Sequence, residues 1–97
     1  IVYEDLHLDM TRREAFIGIK LIELTKKEFD LLEYLLRNRR IVLSRDDILN
    51  EIWNFDYDGD TRIVDVHIFK LRSKLKNSAV TIRSIRGIGY VLEKKDE

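Results

Sequence analysis

The chain has 97 residues, of which 44% are hydrophobic and 37% are charged, and this composition fits one small globular domain rather than a disordered segment. It has no cysteine, which excludes disulfides and cysteine-based zinc sites, and no apolar run approaches the ~18 residues of a membrane span. Residue 1 is isoleucine rather than methionine, and we therefore expect the chain to be part of a longer protein.

The formal net charge is zero, but the charges are unevenly distributed along the chain. Residues 1–60 hold 9 Lys and Arg against 14 Asp and Glu, a net charge of −5. Residues 61–92 hold 7 cations against Asp65 alone, a net charge of +6. Such asymmetry is typical of a domain with a polyanionic partner, and the alternative is a solvated basic surface.

Strands and two helices are predicted in the first half of the chain. Short apolar runs in the first two dozen residues, interrupted by the charged stretch 11–14 and by Gly18, predict two to four antiparallel strands. Thr25 and Glu28 have the spacing of a capping box, which predicts a helix running to about Arg37. Ser44, followed by acidic residues that the helix dipole favours, predicts the start of a second helix.

The second half predicts one more helix and a hairpin. Residues 54–60 form a polar, acidic loop, after which Asp60 or Thr61 caps a third helix over 61–76. Two β-rich runs within 80–93, separated by a turn at 86–89, predict a C-terminal hairpin. The fold class is therefore α+β: an N-terminal antiparallel sheet, three helices and a C-terminal β-hairpin wing, in one domain spanning 1–97.

The third helix has two apolar sides. On a helical wheel, one side forms an ordinary core stripe of Val64, Ile68, Leu71 and Leu75. The opposite side carries Val66 and Phe69, which the core does not need. In a winged helix-turn-helix this side enters the major groove of DNA, where both side chains can contact thymine methyl groups or sugars. Two alternatives remain: Phe69 packs under the hairpin, or the pair forms a protein interface.

Cations surround these apolar residues. Arg62, Lys70, Arg72 and Lys74 lie on a helix whose sole carboxylate is Asp65, so the usual Glu–Lys pairing is absent and contacts to phosphates and bases are favoured. Arg86 stands beside two glycines at the predicted hairpin tip, which suits insertion into a narrow minor groove. The alternative for Arg86 is a solvated turn arginine.

Metal and catalytic sites find no support in the sequence. The acidic triplet at positions 56, 58 and 60 resembles a calcium loop, but that loop needs Gly and Glu where the chain has Thr61 and His67. No nucleophile and base can be paired. We expect no enzyme activity, no metal and no cofactor.

Several motifs together resemble a known family. They are Leu24-Thr25-x-x-Glu28-Phe29-x-Leu31-Leu32, Ser44-Arg45-x-x-Ile48-Leu49, Trp53, Arg62-x-Val64-Asp65-Val66-His67-Ile68, Leu71-Arg72-x-Lys74-Leu75 and Ile85-Arg86-Gly87-x-Gly89-Tyr90. In order and spacing, and over nearly the whole chain, they closely resemble the OmpR/PhoB-type winged-helix domain of bacterial two-component response regulators.

The resemblance implies a four-stranded N-terminal sheet and a set of DNA-binding residues. It implies that Asp65 and Lys70 read bases and that Val66 contacts methyl groups. It implies phosphate contacts by Trp53, Arg62, His67, Arg72 and Tyr90. It places Ser84 on the wing near the bases and Arg86 in the minor groove. The loop that in some members contacts RNA polymerase corresponds to Asn54, Phe55, Asp56, Tyr57, Asp58, Gly59 and Asp60.

The resemblance also implies partners beyond this chain. These are double-stranded DNA with direct-repeat half-sites bound by a tandem dimer, and a sensor histidine kinase acting through an N-terminal receiver domain. RNA polymerase would be reached through loop 54–60. A cytoplasmic location without a membrane partner is implied as well. The main rival hypothesis is a winged helix used purely for protein interaction.

Three positions depart from the family pattern. Phe69 stands where relatives often carry a basic residue, so a phosphate contact is lost or exchanged for an apolar one. Arg39 and Arg40 replace a common Pro-Gly after the first helix, and Asn38 is expected to supply the left-handed turn. Asn54 replaces a frequent glycine after the tryptophan.

Overall fold

The computed structural model describes residues 1–54 and 60–96. In chain order the elements are β1 (Val2–Tyr3), β2 (Leu6–Asp9), β3 (Glu14–Ile17), β4 (Lys20–Ile22), α1 (Lys26–Arg37), β5 (Leu43–Ser44), α2 (Arg45–Trp53), α3 (Arg62–Lys74), β6 (Val80–Ile85) and β7 (Gly89–Lys94). The predicted order of sheet, three helices and hairpin is confirmed. Within the described ranges, none of the helices combines the length and apolar character that crossing a bilayer needs.

The first four strands form an antiparallel sheet in the order β1-β2-β3-β4. Side chains alternate between its two faces, and Leu6, Leu8 and Ala15 on the inner face are buried in the core. The four strands match the number that the family resemblance implies.

Helix α1 begins with the predicted capping box. The Thr25 hydroxyl accepts a hydrogen bond from the Glu28 N–H at 3.2 Å, and the Glu28 carboxylate accepts one from the Thr25 N–H at 2.9 Å. At the other end, the prediction that Asn38 supplies the left-handed turn is wrong. The N–H and side-chain amide of Asn38 both donate to the Tyr34 carbonyl, which prolongs the helical bonding, and Arg40 takes the positive φ of 68° instead.

Strand β5 was not predicted, and it extends the C-terminal hairpin to three strands in the order β5-β7-β6. Leu43 is paired with Tyr90 and Ser44 with Gly89. This approach requires glycine, because a Cβ atom at position 89 would lie 1.9 Å from the Leu43 carbonyl oxygen. Ser44 is also the N-cap of α2, and its hydroxyl accepts from the Asp47 N–H at 3.0 Å.

Helix α3 packs against α1, α2 and β6 through the predicted stripe, whose four members are all buried. It begins at Arg62, one residue later than expected, and ends at Lys74, two residues earlier than expected. Thr61 occupies the N-cap without a side-chain bond, and the Asp60 carboxylate accepts from the Arg62 N–H at 2.9 Å instead.

The two apolar sides of α3 should respond differently to a carboxylate. Val64 is 0% exposed and Val66 is 48% exposed. Val64→Asp should destabilise the domain by several kcal/mol, out of a total of roughly 5–15 kcal/mol, because the buried carboxylate has no partner. Val66→Asp is the matched control and should change the free energy of unfolding by less than about 0.5 kcal/mol. Thermal and urea unfolding measure both, and equal destabilisation would contradict this assignment of faces.

Candidate nucleic-acid interface

The solvent face of α3 carries apolar side chains that the core leaves uncovered. Val66 is 48% exposed and Phe69 is 69% exposed, while Lys70 is exposed beside them. The exposure of Phe69 excludes the alternative in which it packs under the hairpin. This surface, Val66, Phe69 and Lys70, is called the apolar–lysine patch below.

The cations of α3 are not all directed to this face, which departs from the sequence prediction. The Lys74 amine donates to the Glu28 carboxylate at 2.6 Å and to the Glu23 carbonyl at 2.9 Å. The structure therefore places Lys74 against α1 and the end of β4 rather than on the apolar–lysine patch. Arg62 is paired with Asp60 at 2.9 Å but remains largely exposed, so its guanidinium stays accessible to a phosphate.

The carboxylate of Glu28 is 3% exposed, and its charge is stabilised locally. Burial by itself raises the pKa of this carboxyl. The hydrogen bond from Lys74, the bonds of the capping box and the positive charge of Lys74 together outweigh burial, and the pKa is lowered. Lys74 thus stabilises a buried charge, a role that the sequence pattern did not indicate.

Asp65 is the centre of a hydrogen-bonded cluster with Arg45 and Tyr90, called the Asp65 cluster below. Its Oδ1 accepts from Arg45 Nε at 3.1 Å and from the Tyr90 hydroxyl at 2.5 Å, and its Oδ2 accepts from Arg45 Nη2 at 2.5 Å. The Arg45 contact is bidentate, the strongest geometry for such a pair. The carboxylate expected to read bases is thus held by two neighbours of its own fold.

Tyr90 responds strongly to this environment. Burial raises the pKa of its hydroxyl, and the hydrogen bond to Asp65 and the negative charge of Asp65 raise it further, to about 12. The positive charges of Arg45 and Arg72 act in the opposite direction. Tyr90 is therefore a stable hydrogen-bond donor to Asp65 at neutral pH.

Trp53 and His67 lie together at the junction of α2 and α3. Their rings meet edge to face, with centroids 4.9 Å apart, and His67 Nδ1 is 3.0 Å from the Ile63 carbonyl. A carbonyl can only accept, so Nδ1 carries the proton, and Nε2 remains for an outside partner. The Lys27 amine lies 5.7 Å from the Trp53 ring centroid, which adds positive charge to this edge.

The β6–β7 hairpin, called the wing, is joined to α3 by Arg72. Its Nη2 donates to the Ser84 hydroxyl at 3.0 Å. Arg72 Nε is one of two buried side-chain atoms without a hydrogen-bond partner among the described residues. Arg86 is exposed at the tip, next to Gly87 at a φ of +77°, where a residue with a side chain would be strained. Arg83, by contrast, is paired with Glu93 at 3.1 Å.

A groove between α3 and the wing brings together four of the predicted residues, Asp65, Ser84, Arg86 and Tyr90, but not the apolar–lysine patch. It is lined by Arg45, Asp65 and residues 84–90. Arg45 is the contributor that sequence reasoning missed, because its capping context at the start of α2 gave no sign of a partner 20 residues away. Within residues 1–54 and 60–96, no group of three or more potential metal ligands occurs.

The predicted polymerase-facing loop is described at its two ends. Asn54 has a φ of 62°, a conformation that favours the glycine it replaces, and Asp60 caps α3. Phe55, Asp56, Tyr57, Asp58 and Gly59 lie outside the described residues.

Comparisons with known proteins place the chain in a family. The family model described as "Transcriptional regulatory protein, C terminal" matches residues 19–92. The alkaline phosphatase synthesis transcriptional regulatory protein PhoP of Bacillus subtilis is 49% identical over 96 residues, covering 96% of this chain and 40% of that protein. The chain thus spans less than half the length of curated relatives such as this one.

Solved structures agree with this assignment. The DNA-binding domain of Bacillus subtilis CssR superposes with a TM-score of 0.83 and 34% identity, covering 91% of this chain and 99% of that one. The Klebsiella pneumoniae RstA DNA-binding domain in complex with the RstA box superposes with a TM-score of 0.83 and 31% identity, covering 94% and 93%. The chain therefore belongs to the family of transcriptional regulatory protein C-terminal domains, the OmpR/PhoB-type winged-helix domains of response regulators.

Proposed function

We propose that this domain binds double-stranded DNA in a sequence-specific manner, with α3 in the major groove and the wing in the adjacent minor groove. The observation that carries the proposal is the apolar–lysine patch. The core of the domain is complete without it, and the exposed cations Arg62 and Arg86 flank it on the helix and the wing. RstA, which has the same fold, binds its RstA box as the corresponding domain.

Each part of the surface has a chemical role in this proposal. Lys70 is a donor long enough to reach guanine O6 and N7, and Val66 and Phe69 lie against thymine methyl groups. Arg62, Arg72, Trp53 and His67 contact phosphates, which fix the register of the helix. Arg86 enters the minor groove, with Ser84 beside it.

The wider function follows from the family. We propose that the domain is the output module of a bacterial two-component response regulator, preceded by a receiver domain that a sensor histidine kinase phosphorylates. It would act in the cytoplasm as a tandem dimer on direct-repeat half-sites about one helical turn apart. RNA polymerase would be contacted through loop 54–60. The family is one of transcriptional regulators rather than of enzymes.

A winged helix that binds a protein instead remains the second candidate, favoured by the exposed Phe69. The two candidates differ in their response to salt. Each phosphate neutralised by Lys or Arg releases counterions at about 0.9 per contact, so DNA affinity should fall steeply as salt rises. We expect the isolated domain to be retained on heparin and to bind duplex DNA with such a slope. An affinity that does not change with salt would contradict DNA binding and favour the protein interface.

Alanine variants of Lys70 and Arg72 should distinguish a side chain that reads bases from one that contacts the DNA phosphates. Lys70→Ala should cost about 1–3 kcal/mol on the preferred duplex and relax the preference at one or two base pairs. Arg72→Ala should weaken preferred and scrambled duplexes nearly alike and reduce the salt slope by about one. Titrations on both duplexes at several salt concentrations measure this.

Lys20→Ala, which removes an exposed charge from the N-terminal sheet, is the matched control for the change in net charge. If Lys70→Ala weakened both duplexes equally, Lys70 would be a phosphate contact.

The apolar part of the patch should be sensitive to thymine methyl groups. Replacing contacted thymines by uracil removes the methyl group without changing the base pair. We expect a loss of about 0.8 kcal/mol for each contacted methyl, the value of one buried CH₂ group. The loss should disappear in Val66→Ala or Phe69→Ala, according to which side chain makes the contact. Equal uracil effects in the wild type and in both variants would contradict methyl contact.

A further inference from the structure

The three contacts of the Asp65 carboxylate limit what else it can do. A carboxylate has about four acceptor positions, and Arg45 and Tyr90 already occupy three of them. One position, on Oδ2, stays open, but Arg45 and Tyr90 fix the direction in which it points, and turning the carboxylate toward a base would break one of their bonds. Each of these bonds is charge-assisted, which is the stronger class of hydrogen bond in proteins.

The same contacts join three separate elements. Arg45 is the first residue of α2, Asp65 lies in the first turn of α3, and Tyr90 lies on β7, one residue from the turn at the tip of the wing. Tyr90 is also paired with Leu43 of β5 and with Ser84 of β6. A displacement of the wing relative to α3 therefore stretches the bond between Tyr90 and Asp65.

We propose that Asp65 is a positioning residue that sets the separation between the wing and α3, and that base reading on α3 is left to Lys70 and its apolar neighbours. The inference rests on the proposed DNA binding and deepens it. The distance between the groove-reading side chains of α3 and Arg86 on the wing is fixed before DNA is bound. Recognition of the minor groove thus depends on a carboxylate that touches no base.

Two variants test this inference without removing a groove-reading side chain. Tyr90→Phe deletes one hydroxyl and leaves the Asp65 carboxylate in place. Asp65→Asn removes the charge that holds Arg45. If Asp65 positions the wing, both variants should change base preference in the same way. If Asp65 reads a base, Tyr90→Phe should leave the preference profile of the wild type unchanged and Asp65→Asn alone should alter it.

The probe is the duplex that the wild-type domain selects from a random pool, with modified bases at single positions. At an A·T position under the wing, replacement by inosine·C changes the groups in the major groove but, like A·T, presents no amino group in the minor groove. G·C has the same major-groove groups as inosine·C and adds the guanine amino group in the minor groove. We expect the wild type to discriminate G·C from inosine·C there. In both variants the ratio of the two affinities should fall by about tenfold, a change of the size that one base pair typically contributes to specificity.

Discrimination at the guanine read by Lys70, probed with 7-deazaguanine, should stay within about twofold of the wild-type value in both variants, because each base-pair position contributes roughly independently. Tyr34→Phe is the matched control, since Tyr34 lies on α1, away from the groove. A preference lost at a cytosine or adenine of the major groove in Asp65→Asn alone, with Tyr90→Phe like the wild type, would identify Asp65 as a base reader and overturn the inference. Wild-type binding without any base preference would instead overturn the proposed function.

A measurement without DNA distinguishes failure of this inference from failure of the proposed DNA binding. Amide hydrogen exchange in residues 84–90 should be at least about tenfold faster in Tyr90→Phe and Asp65→Asn than in the wild type and in Tyr34→Phe, because local opening of the wing becomes easier. Unchanged exchange in both variants would overturn the inference whether or not the domain binds DNA.

Alkaline titration gives a second test of the bond itself. The pKa of Tyr90, raised to about 12, exceeds the value of about 10 for a tyrosine in an unfolded chain. The protonated hydroxyl therefore contributes stability that is complete below pH 10 and is lost as the pH rises towards 12. The groups facing it are Asp65, Arg45 and Arg72. The stability difference between the wild type and Tyr90→Phe should shrink over this interval, and a constant difference would contradict the bond.

Discussion

Helix α3 is held in the fold by one carboxylate at each end, and the presentation of its outer face depends on both. At the C-terminal end, the buried carboxylate of Glu28 accepts from the Lys74 amine. In the first turn, Asp65 accepts from Arg45 and Tyr90. Removing Lys74 would leave the buried charge of Glu28 uncompensated, which costs more than the pair itself contributes, whereas the Asp65 pair is partly exposed and contributes little stability. The pairs therefore fix orientation more than they add stability, and the apolar stripe of the helix supplies the burial.

A net charge of zero is compatible with binding a polyanion because the positive charges are concentrated in residues 61–92, while several acidic residues elsewhere are paired with arginines. Asp30 accepts from Arg13, Glu33 from Arg37 and Glu93 from Arg83. On α3 and the wing, the exposed side chains of Arg62, Lys70 and Arg86 are positive. Attraction at close range is set by the local charge rather than by the sum, because screening limits its reach to about 8 Å at physiological salt.

The parts of the fold predicted from sequence are those encoded by neighbouring residues. The capping box at Thr25 and the core stripe of α3 depend on spacings of three or four residues, and both were confirmed. Strand β5 was missed because two residues have no period and its pairing with β7 is distant in sequence. In the candidate site, the exposure of Val66 followed from the helical wheel. The partners of Lys74 and Asp65, 46 and 20 residues away, did not, because side-chain direction depends on tertiary contacts.

Ser44 belongs to two structures at once. It is the N-cap of α2, and as part of β5 it is paired with Gly89, which begins β7 next to the tip of the wing and where no side chain would fit. The wing and the first turn of α2 are consequently connected directly through Ser44, with no loop between them. The end of the wing that carries Arg86 is therefore attached to the helix preceding α3 by backbone pairing as well as by the bond between Tyr90 and Asp65.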